Sequence, residues 1–338
     1  MPVIAVDAMG GDFAPDEIVK GVARASLTTS IECLLVGDER RIQVVLDSVS
    51  YDPAHISIRH AAEMIGMGEA PKEALRAKRE ASIMVGASLV AEGRADALVS
   101  AGNTGACILA CARQFRTIKG IRKTALASVY PRQTEYAGQD QLALLLDVGA
   151  TVRCEALDLV QFAVMGTAYA RRISKVARPR VGLLNMGVEE FKGGEVLSEA
   201  HRRLKSLPGI DFVGNIEGSD VAKGRADVIV CEGLLGNVVL KLIEGIAEVV
   251  SDIAGDAVKQ RLTWRIGMGL LSHGIREVAH LADYTKYGGA PLLGFEHLFM
   301  KAHGRSKARA IENAVKVAAK AVRDGVPREI AAAIQAIR

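Results

Sequence analysis

Aromatic residues are scarce in this sequence, at 4% with one tryptophan, so Ala, Val, Ile, Leu and Gly must do most of the packing. There is no basic tail, and the net charge is only +4, from 43 Lys and Arg against 39 Asp and Glu. Few aromatics and weak charge together argue against a nucleic-acid partner. Cysteines number five, at 33, 107, 111, 154 and 231, with no C-x-x-C pair. An odd, scattered set excludes a disulfide frame or a zinc finger and reads as small buried hydrophobes in a reducing compartment. No run of about 18 uncharged apolar residues occurs, so no membrane span is expected. The chain enters an apolar strand without a basic stretch before it, which is not how a signal peptide begins.

Motifs of covalent and metal chemistry are missing too. The sequence has no G-x-x-x-x-G-K-[ST], no G-x-G-x-x-G after a strand, no G-x-S-x-G and no H-E-x-x-H. Cys107 and Cys111 lie one helical turn apart in apolar sequence, which suits burial better than nucleophilic work. No metal-ligand cluster and no cofactor motif is legible.

Short apolar runs alternate with helix-length amphipathic stretches. Strands are expected at 2–7, 31–36, 56–60, 96–101, 124–130, 141–147, 180–185, 210–215, 227–231 and 291–301. Helices are expected at 15–28, 72–92, 104–116, 155–174, 194–206, 237–260 and 306–323. That alternation predicts an α/β sandwich with a largely parallel sheet. No Pro-, Ser- or Gly-rich linker divides the chain, so 1–338 reads as one domain. A helical hairpin is expected to project from it at about 250–286. Within it, residues 259–286 hold five Lys or Arg against Glu277 and Asp283, and the only tryptophan. Leu262, Trp264, Ile266, Leu270 and Leu271 beside basic residues compose a helix suited to lie in a membrane interface. Packing in a dimer interface or in the core is the alternative for that stripe.

Four glycine loops follow predicted strands, where ligands of open α/β sheets bind. The first strand runs into Gly10 and Gly11, with Asp12 or Asp16 as candidate helix caps. The strand DALVSA runs into Gly102, Asn103, Thr104 and Gly105. VGLLN runs into a loop with Asn185, Gly187, Lys192, Gly193 and Gly194, and DVIVCEG into Gly236, Asn237 and, one turn on, Lys241. A glycine loop at a helix N-terminus offers backbone N–H groups where the helix dipole favours an anion. Each loop alone is an ordinary turn; four at one predicted edge point to a phosphate-type site. His303, in KAHGRS, is the one histidine in a loop with glycine and basic neighbours.

VDAMGGDFAPDEIVKG, SAGNTGA, LLLDVGA, NIEGSD, DVIVCEGLLGNVVLK, DYTKYGGAPLLG and KAHG occur in that order. Together they resemble the PlsX-type phosphate acyltransferases over nearly the whole chain. The resemblance departs at Phe191 and Gly194, and at Arg305 where a small polar residue is usual. It implies a three-layer α/β/α fold similar to phosphotransacetylases and isopropylmalate dehydrogenases, and a homodimer. It implies transfer of an acyl group from acyl carrier protein to inorganic phosphate for glycerophospholipid synthesis. It also implies peripheral attachment of a cytoplasmic enzyme to an anionic membrane surface.

Phosphate is already a nucleophilic anion and a thiolate leaves readily, so this chemistry needs no enzyme nucleophile and no metal. The protein must hold phosphate against the carbonyl and stabilise the oxyanion. On the resemblance, Asn103, Thr104, Gly105, Asn237 and Lys241 are assigned to phosphate. Lys192, Lys301 and His303 are assigned to charge neutralisation or the oxyanion, and Asp7 to orienting one of them. Asn215 of NIEGSD joins the substrate-binding set. A phosphotransacetylase acting on coenzyme A thioesters and a non-catalytic membrane scaffold are the rival readings.

Overall fold

The computed structural model describes residues 1–132, 142–260 and 288–337. The proposed membrane residues Leu262, Trp264, Ile266, Leu270 and Leu271 lie outside the described residues.

The described strands are β1 (Val3–Asp7), β2 (Glu32–Gly37), β3 (Ile56–His60), β4 (Ala97–Ser100), β5 (Ala125–Pro131), β6 (Leu142–Leu146), β7 (Arg180–Leu184), β8 (Asp211–Ile216), β9 (Val228–Val230), β10 (Ala290–Leu293) and β11 (Leu298–Lys301). The helices are α1 (Asp16–Thr28), α2 (Glu39–Leu46), α3 (Pro71–Ala77), α4 (Ser82–Ala91), α5 (Thr104–Gln114), α6 (Ala156–Tyr169), α7 (Gly194–Ser206), α8 (Gly218–Lys223), α9 (Gly233–Gln260), α10 (Ala308–Arg323) and α11 (Val326–Ala336). The strands form one sheet in the order β3-β2-β1-β4-β11-β10-β5-β6-β9-β7-β8.

Both faces of the sheet are covered, which is why its strands read as unbroken apolar runs. Ile4 and Val6 of β1 enter a core shared with α1, α6, α10 and α11. Ala5 between them enters a second core with α3, α4 and α5. The result is the expected three-layer α/β/α sandwich.

Strand direction is where the sequence reading needs correction. β3, β2, β1, β4 and β11 run parallel to one another, and so do β6, β9, β7 and β8. Three antiparallel pairings, β11 with β10, β10 with β5, and β5 with β6, join the blocks. The second block therefore runs opposite to the first. The four glycine loops do not share one edge: those after β1 and β4 open at one end of the sheet, those after β7 and β9 at the other. Apolar periodicity carries no sign of strand direction, so it could not reveal the reversal.

Other corrections are local. The run 291–301 is two strands, because Gly294 takes a φ of +109° and turns the chain back. The stretch 72–92 is two helices, since Ala81 leaves helical backbone to bridge Glu63. Neither Asp12 nor Asp16 caps α1, whose N-cap is Pro15. Three further helices, α2, α8 and α11, have no counterpart among the helices expected from sequence.

Candidate active site

Asp7 ends β1 and is almost wholly buried. Its Oδ1 accepts from Ser82 Oγ at 2.6 Å and from Met9 N at 3.3 Å; its Oδ2 accepts from Ser100 Oγ at 2.6 Å. Ser100 Oγ in turn accepts from Gly102 N at 3.0 Å. A Cβ on Gly10 would lie 2.5 Å from Asp7 Oδ2 and 2.8 Å from Gly102 N, so glycine there allows two loops to close on one carboxylate. Gly11, with a φ of +114°, brings the same segment against Gly304. Burial pushes the Asp7 carboxyl up from its ordinary value, opposed by the Ser100 and Ser82 hydroxyls.

Lys301 ends β11 beside Ser100 of β4 and is buried, at 7% exposure. Its Nζ donates to the Ala302 carbonyl, and among the described residues no carboxylate lies within ion-pair distance of it. Burial pulls its ammonium below the ordinary lysine value, opposed in part by Cys107 and Asp7. His303 follows by two residues. Its Nδ1 accepts from Arg305 N at 3.1 Å, which leaves Nε2 to carry the proton of a neutral ring. Burial holds the His303 pKa below the usual value, so the neutral form prevails at physiological pH.

Asn103 caps α5: its Oδ1 accepts from Ala106 N at 3.1 Å. Its Nδ2 donates to Met67 O at 2.9 Å and Glu69 O at 3.1 Å. Both amide hydrogens therefore go to the chain between β3 and α3, and the side chain tethers that chain to α5 in this structure. What α5 presents outward is the backbone N–H of Thr104 and Gly105, which have no acceptor among the described residues. Those are the orphan donors of a helix start. Gly105 itself packs on Pro71 of α3.

The α9 helix leaves the opposite end of the sheet and runs back towards this group. Its Lys241 pairs with Glu244 at 2.6 Å, and its Glu248 pairs with Arg305 at 3.2 Å. Lys241 and Glu244 both act on the titration of His303. The structure thus brings together Asp7, Gly10, Gly11, Gly102, Asn103, Thr104, Gly105, Lys241, Lys301 and His303.

The remaining residues assigned from sequence stand at the other end of the sheet. Asn185 donates to Lys192 O at 2.9 Å and accepts from Met186 N at 2.8 Å. Asn215 donates to Glu189 O at 2.8 Å, and its Oδ1 meets His201 Nδ1 at 3.0 Å. The two buried asparagines hold the Met186–Gly193 loop in place with their own polar atoms occupied. Gly193, with a φ of +85°, is the N-cap of α7 and packs on Asn185. Lys192 lies over the Phe191 ring, 5.6 Å from its centroid. Asn237 donates to Val148 O at 3.1 Å, and Gly236 packs on the Asp147 carbonyl.

Sequence reasoning missed the residues that organise both ends. Ser82 and Ser100 hold Asp7. Asp147, wholly buried, accepts five hydrogen bonds, from Leu126, Gly149 and Ala150 N–H and from Thr151 N and Oγ1. The motifs SAGNTGA and LLLDVGA contain Ser100 and Asp147, but a buried polar residue at a strand end is not distinguishable from a surface one without the fold. Cys107 touches Ser100 Oγ at 3.5 Å, yet burial pushes its thiol up to about 11, so it is protonated at neutral pH and no nucleophile.

A buried lysine, a neutral imidazole and two N–H groups at a helix start that have no acceptor among the described residues can hold a phosphate and polarise a carbonyl. Comparison with known proteins identifies the family. The family described as "Fatty acid synthesis protein" matches residues 3–329. A phosphate acyltransferase of Heliobacterium modesticaldum is 45% identical over 333 residues, 98% of this chain and 96% of that protein. One of Dictyoglomus turgidum is 42% identical over 97% of this chain and 96% of that protein. A phosphotransacetylase structure from Streptococcus pyogenes superposes with a TM-score of 0.63 at 18% identity, covering 95% of this chain and 94% of that one, which shows a shared fold. By its sequence over nearly its whole length, the chain belongs to the phosphate acyltransferase family, and it is a transferase.

Proposed function

We propose that the enzyme transfers an acyl group from an acyl carrier protein thioester to inorganic phosphate, and that the acyl phosphate feeds glycerophospholipid synthesis. The observation that carries this is the pairing of the Thr104 and Gly105 N–H groups with buried Lys301 and neutral His303. Phosphate sits on the N–H pair, where the α5 dipole favours it. One phosphate oxygen attacks the thioester carbonyl, giving a tetrahedral oxyanion. Lys301 Nζ and His303 Nε2–H stabilise that charge. The C–S bond then breaks, leaving acyl phosphate and the carrier's thiolate. Asp7, Ser82, Ser100 and Asn103 touch no reacting atom in this scheme; they position the groups that do.

The test is direct. Incubation with acyl carrier protein thioester and phosphate is expected to yield acyl phosphate and free carrier thiol in equal amounts. No product, or product only from a coenzyme A thioester, would overturn the carrier-protein reading. Asn103→Ala removes a helix cap and the tether together, so turnover is expected to fall on the order of a hundredfold with the fold retained. Unchanged turnover would mean the α5 start tolerates the loss and is not the anion site.

We further propose that the enzyme is a homodimer through α9. Leu234, Val238, Leu242, Ile246, Val249 and Ile253 recur every three or four residues and are each more than half exposed. One helix face with that much open apolar surface is what a subunit interface provides and a monomer avoids. Leu242→Glu combined with Ile246→Glu is expected to sediment as a folded monomer. A dimer that survives both charges refutes the assignment.

A further inference from the structure

We infer that Met67 selects the acyl chain. It stands on a strap across the mouth of the anion site, and the inference rests on the transfer reading above.

The strap is the segment from Glu63 to Ala70, between β3 and α3. Four sets of contacts fix its backbone. Glu63 O accepts from Ser82 N at 2.9 Å. Glu69 Oε1 accepts from Gly66 N at 2.6 Å and pairs with Lys78 Nζ at 2.6 Å. Lys78 Nζ also donates to Met64 O at 3.0 Å. Asn103, the cap of the anion-binding helix, donates to Met67 O and Glu69 O. The strap is therefore registered on α5 by the residue that starts α5.

Met67 points from this fixed backbone to Gly304, in the loop that carries His303. Its Cε lies 2.6 Å from where a Cβ of Gly304 would be, and Asp12 Oδ2 lies 3.6 Å from the same point. Met67 nonetheless remains 39% exposed, and Phe13, next to Asp12, is 43% exposed. A large apolar side chain, that of Met67, thus reaches the His303 loop of a site whose other groups, Lys301, His303 and the N–H pair, are all polar. The phosphate end of the reaction has no use for it. A hydrocarbon chain attached to the carbonyl does, because the carbonyl must lie against Lys301 and His303 while its chain leads outward.

The side chain is also of a suitable kind. Methionine is unbranched and adapts to irregular apolar partners. Its backbone is held by Asn103 while its thioether is half in solvent, so it can follow a chain without moving the catalytic groups.

The experiment compares kcat/KM for hexanoyl and palmitoyl thioesters of acyl carrier protein in the wild-type enzyme, Met67→Trp and Met67→Ala. Met67→Trp is expected to lower the palmitoyl-to-hexanoyl ratio by about tenfold or more, and Met67→Ala to change it in a different proportion. The KM for phosphate is expected to stay the same in both. Two active variants with the wild-type ratio would overturn the inference, as would a shift confined to the phosphate KM. Absence of acyl phosphate from either thioester in the wild type is a separate outcome. It removes the transfer reading itself, and this inference with it.

Discussion

Lys301→Met is expected to lower kcat/KM by about a thousandfold while leaving the enzyme folded and no less resistant to urea. The rate term follows from what Lys301 supplies. It is a buried ammonium beside Ser100 and Asp7, at the end of the strand that leads to His303. Removing one fixed donor to a developing oxyanion costs about a hundredfold to a thousandfold, and this donor also carries the charge. The stability term has the other sign. Burial lowers the pKa of Lys301, so the folded chain holds that proton less tightly than the unfolded chain does. Folding is therefore penalised below the lowered value, and the penalty fades as pH rises through it towards the ordinary 10.5. Methionine fills much of the same volume without that charge.

The same shift sets a pH dependence. The rate is expected to fall as pH rises through the lowered Lys301 value, so its alkaline limb lies below 10.5. Steady-state rates from neutral to alkaline pH, alongside urea melts, check both terms. A Lys301→Met enzyme that is inactive because it is unfolded, or active at near wild-type rate, would sink the assignment.

Much of the architecture was legible because it depends on burial. Strands covered on both faces must be apolar throughout, as in ALVS of β4 and LALLL of β6, and glycines must close their ends. Strand direction was not legible. Reversal depends on three antiparallel pairings in succession: the two made by β10 cancel, and that of β5 with β6 turns the second block over, while the long run from Pro291 to Lys301 hid the turn at Gly294. This one blind spot decided which of the expected site residues the fold brings together. Asp7, the Gly102–Gly105 loop, Lys301 and His303 come together because β1, β4 and β11 are parallel neighbours. Asn185, Lys192 and Asn237 follow strands of the reversed block and Asn215 lies within its β8, so they stand apart from that group, and the three asparagine side chains bond to nearby backbone. Residue type was equally ambiguous. Asn103 looks like a phosphate donor in sequence, and only the positions of Met67 and Glu69 show where its N–H groups go.

Gly236→Ala is expected to destabilise the protein by about 3 kcal/mol, although a methyl group is a small addition. In sequence, Gly236 reads as a glycine that lets backbone approach a phosphate. In the fold, backbone approaches it. A Cβ at this position would lie 1.8 Å from the carbonyl oxygen of Asp147 and 2.9 Å from Cys231 Sγ. No rotation relieves a clash with backbone, so the start of α9 must lift off the loop from Asp147 to Thr151. That loop cannot follow, because the Asp147 carboxylate fixes it through Leu126, Gly149, Ala150 and Thr151. Lifting α9 breaks the bonds from Gly233 N to Thr151 Oγ1 and from Asn237 Nδ2 to Val148 O. It also displaces the far turns, where Lys241 and Glu248 meet the loop of His303 and Arg305. Activity should therefore fall with stability, although position 236 lies at the other end of the sheet. Gly245→Ala is the control on the same helix. Nothing lies within 4 Å of its Cβ position, so alanine there is expected to stabilise α9 by up to about 1 kcal/mol through helix propensity alone. Urea unfolding of the two variants separates the effects. A Gly236→Ala midpoint equal to wild type would show that α9 is not locked to the Asp147 loop, and the proposed coupling between the two ends of the sheet would fail with it.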